Sequence, residues 1–303
     1  MSSSVPPTTL LGWFDVHERD LPWREPGRSG WEILVSEIML QQTPVARVLG
    51  PWSEWVRRWP TPSAMAAASP GEVLRAWGKL GYPRRALRLH GCAQVLAADY
   101  DDMVPDDVAT LLELPGIGDY TARAVACFAY GRAVPVVDTN VRRVIARAVH
   151  GRAEPGNPSR RDLDDAEVLL PRSADGSYSA DAPRFSAALM ELGALVCTAR
   201  NPACENCPLT DCRWVRRGRP AHTGPARTVQ KFAGTDRQVR GLLLDVLRGS
   251  ADPVPRGSLD AVWTTDVAQR DRALDSLLSD GLVETTGSGL FCLAGEAGPD
   301  REG

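Results

Sequence analysis

Four cysteines, Cys197, Cys204, Cys207 and Cys212, stand at spacings C-x6-C-x2-C-x4-C within sixteen residues. Four thiolates this close in sequence can surround one metal centre. The set suits tetrahedral zinc or a cubane 4Fe-4S cluster. It lacks the paired C-x2-C knuckles of a zinc ribbon, which favours iron-sulfur and leaves zinc as the alternative. Nothing in the spacing implies redox chemistry, so the centre reads as a staple. Between Arg200 and Lys231, seven basic residues (Arg200, Arg213, Arg216, Arg217, Arg219, Arg227 and Lys231) face only Glu205 and Asp211, a local balance of +5. Such a patch suits phosphates, whose neutralisation releases counterions. Staple and patch together read as a rigid scaffold for phosphate contacts. Cys92, Cys127 and Cys292 lie in apolar surroundings and are expected to be buried small hydrophobes.

A second signal is LELPGIGDYTARAV, in which Leu114 to Gly118 form a tight turn between two helical patterns. Glycine at Gly116 and Gly118 lets the backbone bend where other residues cannot and brings N–H groups close to a ligand. The next helix then offers its positive end to an anion. Two acids complete the constellation. Glu37 sits in SEIMLQQT among Ile33, Leu34, Ile38, Met39 and Leu40, where a carboxylate suffers desolvation unless partnered. Asp138 follows the apolar run of VPVVDTNVRRV, at a helix start where Asp is also a common N-cap.

Positioning these groups falls to helices. Apolar residues recur at three and four spacings in WEILVSEIMLQQTPVARVL, GEVLRAWGKLGY, RALRLHGCAQVLAADY, DDVATLLELPG, YTARAVACFAYG, NVRRVIARAVHG, DDAEVLLP and FSAALMELGALVC. GRAEPGNPSRRD reads as a surface loop. The first 217 residues therefore read as one all-α unit. Residues 218–235, rich in Gly, Pro and basic side chains, read as a linker. In 236–298, the helical VRGLLLDVL and ALDSLL precede GLVETTGSGLFCLAG, a hairpin of two short strands, and together they suggest a winged-helix-like α+β domain. Its wing, with Arg237, Arg240, Arg270 and Arg272, suggests a DNA-facing surface, which Asp236, Asp245 and Asp271 dilute.

The chain has 303 residues, 43% of them hydrophobic and 24% charged, with a net charge of -3. That length and composition give a sizeable core and exclude both a stapled miniprotein and a disordered chain. No apolar run suits a membrane span. The N-terminal MSSSVPPTTLLGWFDVHERD lacks the basic start and apolar stretch of a secretory signal, so the cytoplasm is the expected compartment.

Taken in order, LPWR (Leu21 to Arg24), SEIMLQQTPV, WGKLGY, LPGIGDYTA, VVDTNVRRV, ALMELGALVC and the four cysteines resemble the MutY-type adenine-specific DNA glycosylases of the endonuclease III superfamily. The likeness covers roughly residues 10 to 220. In length and in its C-terminal region the chain is most similar to short actinobacterial members. The resemblance implies a mainly α helix-hairpin-helix glycosylase fold, with two helical subdomains and an iron-sulfur loop at 197–212. It implies a 4Fe-4S cofactor on Cys197, Cys204, Cys207 and Cys212. The implied partner is double-stranded DNA carrying adenine opposite 8-oxoguanine or guanine, met by a monomer at the nucleoid.

The same resemblance implies roles for single residues. Glu37 matches the general acid that protonates adenine, and Asp138 the carboxylate that faces the sugar. Two carboxyl groups in different protonation states suit cleavage of a glycosidic bond. Tyr120 and Asn140 match positions that orient this pair, and Gln42 and Tyr82 match wedges that fill the void left by a flipped base. Gly116 and Gly118 match the DNA-gripping hairpin. Ser186 and Ala187 depart from the usual Asn and acid or amide. The last cysteine gap is one residue short, and the C-terminal Nudix-like domain of many relatives is absent. Two other readings remain. A thymine or other mismatch glycosylase of the endonuclease III type is one, though a lyase would carry lysine where Tyr120 stands, and no lysine lies between Lys79 and Lys231. The other is a non-enzymatic iron-sulfur DNA-binding regulator, which would need neither Glu37 nor Asp138.

Overall fold

The structure, a computed structural model, describes residues 4–222 and 232–297. Arg227 and Lys231 of the basic patch, and the middle of the expected linker, lie outside the described residues. Along the chain run α1 (Pro7–His17), α2 (Gly30–Leu40), α3 (Val45–Arg58), α4 (Pro62–Ala66), α5 (Pro70–Trp77) and α6 (Arg84–Asp99). Then come α7 (Val108–Glu113), α8 (Asp119–Tyr130), α9 (Thr139–Ala148), α10 (Arg161–Leu169), α11 (Ala182–Leu195) and α12 (Arg213–Arg216). Last are α13 (Asp236–Gly249), α14 (Arg256–Asp260), α15 (Val267–Ser279) and the strands β1 (Val283–Thr285) and β2 (Phe291–Leu293). Among the described residues, no helix is long and apolar enough to cross a membrane.

Local chemistry starts and stops these helices. Thr61, Ser69, Asp138 and Asp266 each accept the N–H three residues on, from Ala64, Glu72, Val141 and Gln269. Each cap satisfies a donor that has no partner inside the helix. Gly131, at φ +66, closes α8. The pattern WEILVSEIMLQQTPVARVL, periodic throughout, breaks in the structure between Leu40 and Val45. Pro44 has no N–H to continue a helix and holds Thr43 out of the helical region, and Gln42 turns at φ +54.

The described chain forms two compact units. The first takes residues 4–33, 105–113 and 117–222, and α1, α9 and α11 build its core from Leu10, Phe14, Val141, Val144, Phe185 and Leu192. Each such side chain contributes about 1.5–3 kcal/mol when fully buried. The second takes residues 34–104, 114–116 and 232–297. In it α4 and α5 pack on α6, α13 packs on α15 and β2, and α5 also meets β2. The segment after residue 232 thus packs with 34–104, residues that precede the expected linker.

The hairpin pairs Val283 with Leu293, Glu284 with Cys292 and Thr285 with Phe291, with Gly289 at φ +78 in its turn. Val254 adds an antiparallel bridge to Phe291, so three helices and a wing form the expected small α+β element. Three of the four arginines expected to face DNA stand within ion-pair distance of carboxylates. Arg240 pairs with Asp280 at 2.6 Å, Arg270 with Asp260 at 3.0 Å and Arg272 with Asp236 at 3.8 Å. Of these carboxylates Asp236 was legible as a diluting charge in the sequence, whereas Asp260 and Asp280 are brought in by the packing. Cys92, Cys127 and Cys292 are buried, as their apolar surroundings predict.

Candidate active site

In the first unit, Asp138 caps α9 with both oxygens engaged. Oδ1 accepts the Val141 N–H at 2.7 Å and Oδ2 accepts the Asn140 side-chain amide at 2.7 Å. Protein crowding around the carboxylate pushes its pKa above the ordinary aspartate value, which the two donors and the positive Arg143 only partly offset. Asn140 is fixed in turn, its Oδ1 accepting from Arg143 Nη2 at 2.6 Å. Arg143 also donates to Gly193 O at 2.7 Å and Cys197 O at 2.6 Å. A side chain on Gly193 would strike Asn140, with 2.7 Å between the two Cβ positions. One hydrogen-bonded chain therefore runs from Asp138 through Asn140 and Arg143 to the first cysteine of the cluster loop. Sequence reading missed Arg143, although an arginine on the buried face of NVRRVIARA was a signal.

The loop from Cys197 to Cys212 packs on the same core, and its four thiols are free of disulfides. Among the described residues, no group of three His, Cys, Asp or Glu side chains closes a ligand shell. The residues present nevertheless suit a soft, anionic centre. Burial foremost, with Cys197, Cys212 and Cys204 adding to it and the Leu209 backbone donor opposing it, pushes the Cys207 thiol up to about 11, so the other three cysteines all act on it. Arg147 Nη1 stands 3.5 Å from Cys197 Sγ, placed to donate to a ligating thiolate, and also holds Thr198 O at 2.7 Å. The Arg147 guanidinium stacks 4.9 Å from the Trp214 ring. Arg200, Arg213, Arg216, Arg217 and Arg219 are exposed around this loop, with Arg216 paired to Asp211 at 2.5 Å.

Tyr120 lies in the first turn of α8, half-buried against Ala124, Cys127 and Val136. The hairpin from α7 to α8 turns through Gly116 at φ +77, where a Cβ would stand 2.7 Å from Arg88 Cβ. Gly118 differs from expectation. Its φ of -99 is ordinary and the space around it is open, so it serves as an N-cap without a side chain and not as a strained turn. In LPWR, Arg24 donates to Glu191 Oε2 at 3.0 Å, and Arg19 grips both oxygens of the same carboxylate at 2.7 and 2.8 Å. Glu191 has 0% exposure. Burial pushes its pKa up, but the two arginines more than reverse that and hold it below the usual range. Ser186 is buried one turn earlier on α11, and Ala187 is half-buried.

In the second unit, Glu37 is 6% exposed on α2. Gln42 and Tyr82 occupy two separate turns, both exposed and both in the left-handed region, at φ +54 and +47. One buried guanidinium ties the turns together. Arg85 Nη1 donates to Ile38 O, Met39 O and Gln41 O at 2.9, 3.1 and 2.6 Å, closing the end of the helix that carries Glu37. Its Nη2 donates to Thr43 Oγ1 and Gly81 O, both at 3.0 Å, and it lies 5.0 Å from the Trp77 ring and 5.7 Å from the Tyr82 ring. Desolvation lowers its pKa to about 10, which leaves it charged at neutral pH. Arg85 was also missed from sequence, where it looked like one more polar residue of α6.

A helix-hairpin-helix with a buried glutamate, a pinned aspartate and a four-cysteine loop defines a class of DNA repair protein. Residues 35–163 match the HhH-GPD superfamily of base excision DNA repair proteins, and 197–211 match the iron-sulfur binding domain of endonuclease III. The solved structure of a thermostable thymine-DNA glycosylase has a TM-score of 0.62 at 29% identity, covering 70% of this chain and 95% of that one. An endonuclease III–DNA complex has a TM-score of 0.58 at 23% identity and shows the fold alone. The chain is 66% identical over 298 residues to the adenine DNA glycosylase of Mycolicibacterium smegmatis, covering 98% of this chain and 99% of that protein. It is 64% identical over 290 residues to that of Mycobacterium tuberculosis, covering 95% and 93%. The chain belongs to the adenine DNA glycosylases of the HhH-GPD superfamily.

Proposed function

We propose that the chain is a monofunctional glycosylase that flips adenine out of mispairs with 8-oxoguanine or guanine and hydrolyses its N-glycosidic bond. Glu37 protonates the departing base so that it leaves neutral. Asp138 stays ionised and stabilises the cationic sugar or traps it as a transient adduct. Asn140 and Tyr120 orient the reacting groups, Gln42 and Tyr82 fill the vacated stack, and the hairpin at Gly116 and Gly118 grips the phosphate backbone. The observation that carries this reading is Asp138, whose two oxygens are both pinned by donors that favour its ionised form. Tyr120 cannot form the imine that a lyase needs.

Cys197, Cys204, Cys207 and Cys212 would hold a 4Fe-4S cluster, which would supply rigidity to the arginine-rich loop. The protein would act as a monomer on nucleoid DNA in the cytoplasm. The likeness to thymine-DNA glycosylases keeps a second reading in view, since tyrosine at the position of Tyr120 suits both. Single-turnover cleavage of duplexes with A opposite 8-oxoguanine, A opposite G, A opposite C and T opposite G separates them. Fast release of adenine from the first two supports the proposal. Release of thymine as the fastest reaction would replace it with the second reading.

A further inference from the structure

Between Asp236 and Glu296 the chain carries six arginines and ten acidic residues, a net charge of -4. A surface of that sign is repelled by the phosphate backbone. Instead, the segment meets α5, the turn after it and the start of α6, within the same compact unit. Arg75 of α5 binds the Glu296 carboxylate and the Ser250 carbonyl, with Nη2 also 3.4 Å from Leu247 O. Arg248 donates back to Leu74 O at 3.1 Å. Lys79 Nζ stands 3.4 Å from Asp245 Oδ2, and Arg84 Nη1 3.2 Å from Asp280 Oδ1.

The two surfaces close over glycines. A Cβ on Gly295, at φ +75, would stand 2.8 Å from Pro70 Cδ, and one on Gly71 would enter the Glu296 carboxylate. From α5 the chain passes through Gly78, whose N–H donates to Arg75 O at 3.1 Å, and Leu80, whose N–H donates to Trp77 O at 3.3 Å. It ends on Tyr82, 48% exposed and in the left-handed conformation. A non-glycine residue stays in that region only when its surroundings over-determine it.

We propose that the C-terminal segment is an abutment: seated on α5, the turn after it and the start of α6 through Arg75, Lys79, Arg84 and Arg248, it holds the Tyr82 turn against the load of opening a base stack, and does not itself read DNA. This rests on the wedge role given to Tyr82 above. A side chain driven into the stack must resist the unstacking force. A turn anchored only by its own hydrogen bonds would yield.

The test uses the full chain with Asp245→Arg and Glu296→Arg, which reverse charge on the seat and leave α5 unaltered. Hydrogen exchange at the Gly78 and Leu80 amides is expected to quicken by at least ~10-fold, because exchange reports local opening. Fluorescence of 2-aminopurine placed at the target position is expected to show less flipping. The salt slope of duplex affinity should stay unchanged in Arg237→Gln and Arg272→Gln, which remove exposed cations of the segment outside the seat. Adding Arg75→Glu, which re-pairs with Arg at 296, should recover part of the exchange protection, an outcome that general unfolding would not produce. Unchanged exchange at both amides would overturn the proposal, as would a smaller salt slope in Arg237→Gln or Arg272→Gln, which would make the segment a DNA contact. Faster exchange with flipping unaltered would support the seat and remove the wedge role from Tyr82.

Discussion

At the residue scale, the proposed reaction gives two carboxyl groups, Glu37 and Asp138, different tasks. Glu37→Gln keeps shape and hydrogen bonding but has no proton to give, so mismatch binding should persist while single-turnover excision falls at least ~10²-fold. Near-normal excision would remove Glu37 from the reaction. Asp138 works only when ionised, and crowding already pushes its pKa up. Relative to the unfolded chain the fold shifts this carboxyl toward protonation, so the stability linked to the shift is lost as pH rises through its folded pKa. Asn140→Leu removes a donor to the ionised form. The acid limb of the excision rate against pH should therefore move to higher pH, and a limb that stays in place would mean that Asn140 does not govern Asp138. Both acids could be found from sequence, because a lone glutamate on an apolar helix and an aspartate at a helix start are local signals. Arg85 could not, because most of its hydrogen-bond partners come from the segment 38–43, and Arg143 showed only as an arginine on a buried helix face, with no local sign that it reaches Gly193 and Cys197.

At the element scale, the hairpin between α7 and α8 and the cysteine loop were legible because glycine and cysteine spacing is short-range. The division of labour between the two glycines was not. Only Gly116 sits in the left-handed region, and only there would a Cβ collide. Gly116→Ala should cost about 1–2 kcal/mol from backbone conformation alone and weaken duplex binding, whereas Gly118→Ala should cost less, as denaturant melts of the two variants would show. Equal losses would contradict this assignment. The break at Pro44 was hidden by apolar periodicity, which continues across it. α1 went unread because its helical signal is a Pro7 start followed by a short apolar stretch, whose burial depends on α11 far along the chain. For the cysteine loop, protein purified without oxygen should show an iron-sulfur chromophore, and Cys204→Ser should lose it. Metal analysis that returns one zinc and no iron would contradict the cluster assignment.

At the scale of the whole molecule, chain order and compact units do not coincide. The segment after the basic linker packs with residues 34–104. Composition revealed the hairpin wing, but no local pattern says which earlier helix a later segment will seat on, since ion pairs such as Arg75 with Glu296 join residues far apart in sequence. The patterning that did show, from LPWR to the fourth cysteine, lies in the residues assigned here to chemistry, and these act as one enzyme only if the base departs without breaking the strand. The most direct measurement is a single-turnover assay on a duplex with adenine opposite 8-oxoguanine, sampled with and without alkali and with borohydride present. The expected result is free adenine, an intact abasic strand until alkali is added, and no borohydride-trapped protein–DNA adduct. Strand cleavage without alkali, or a borohydride-trapped adduct, would contradict it.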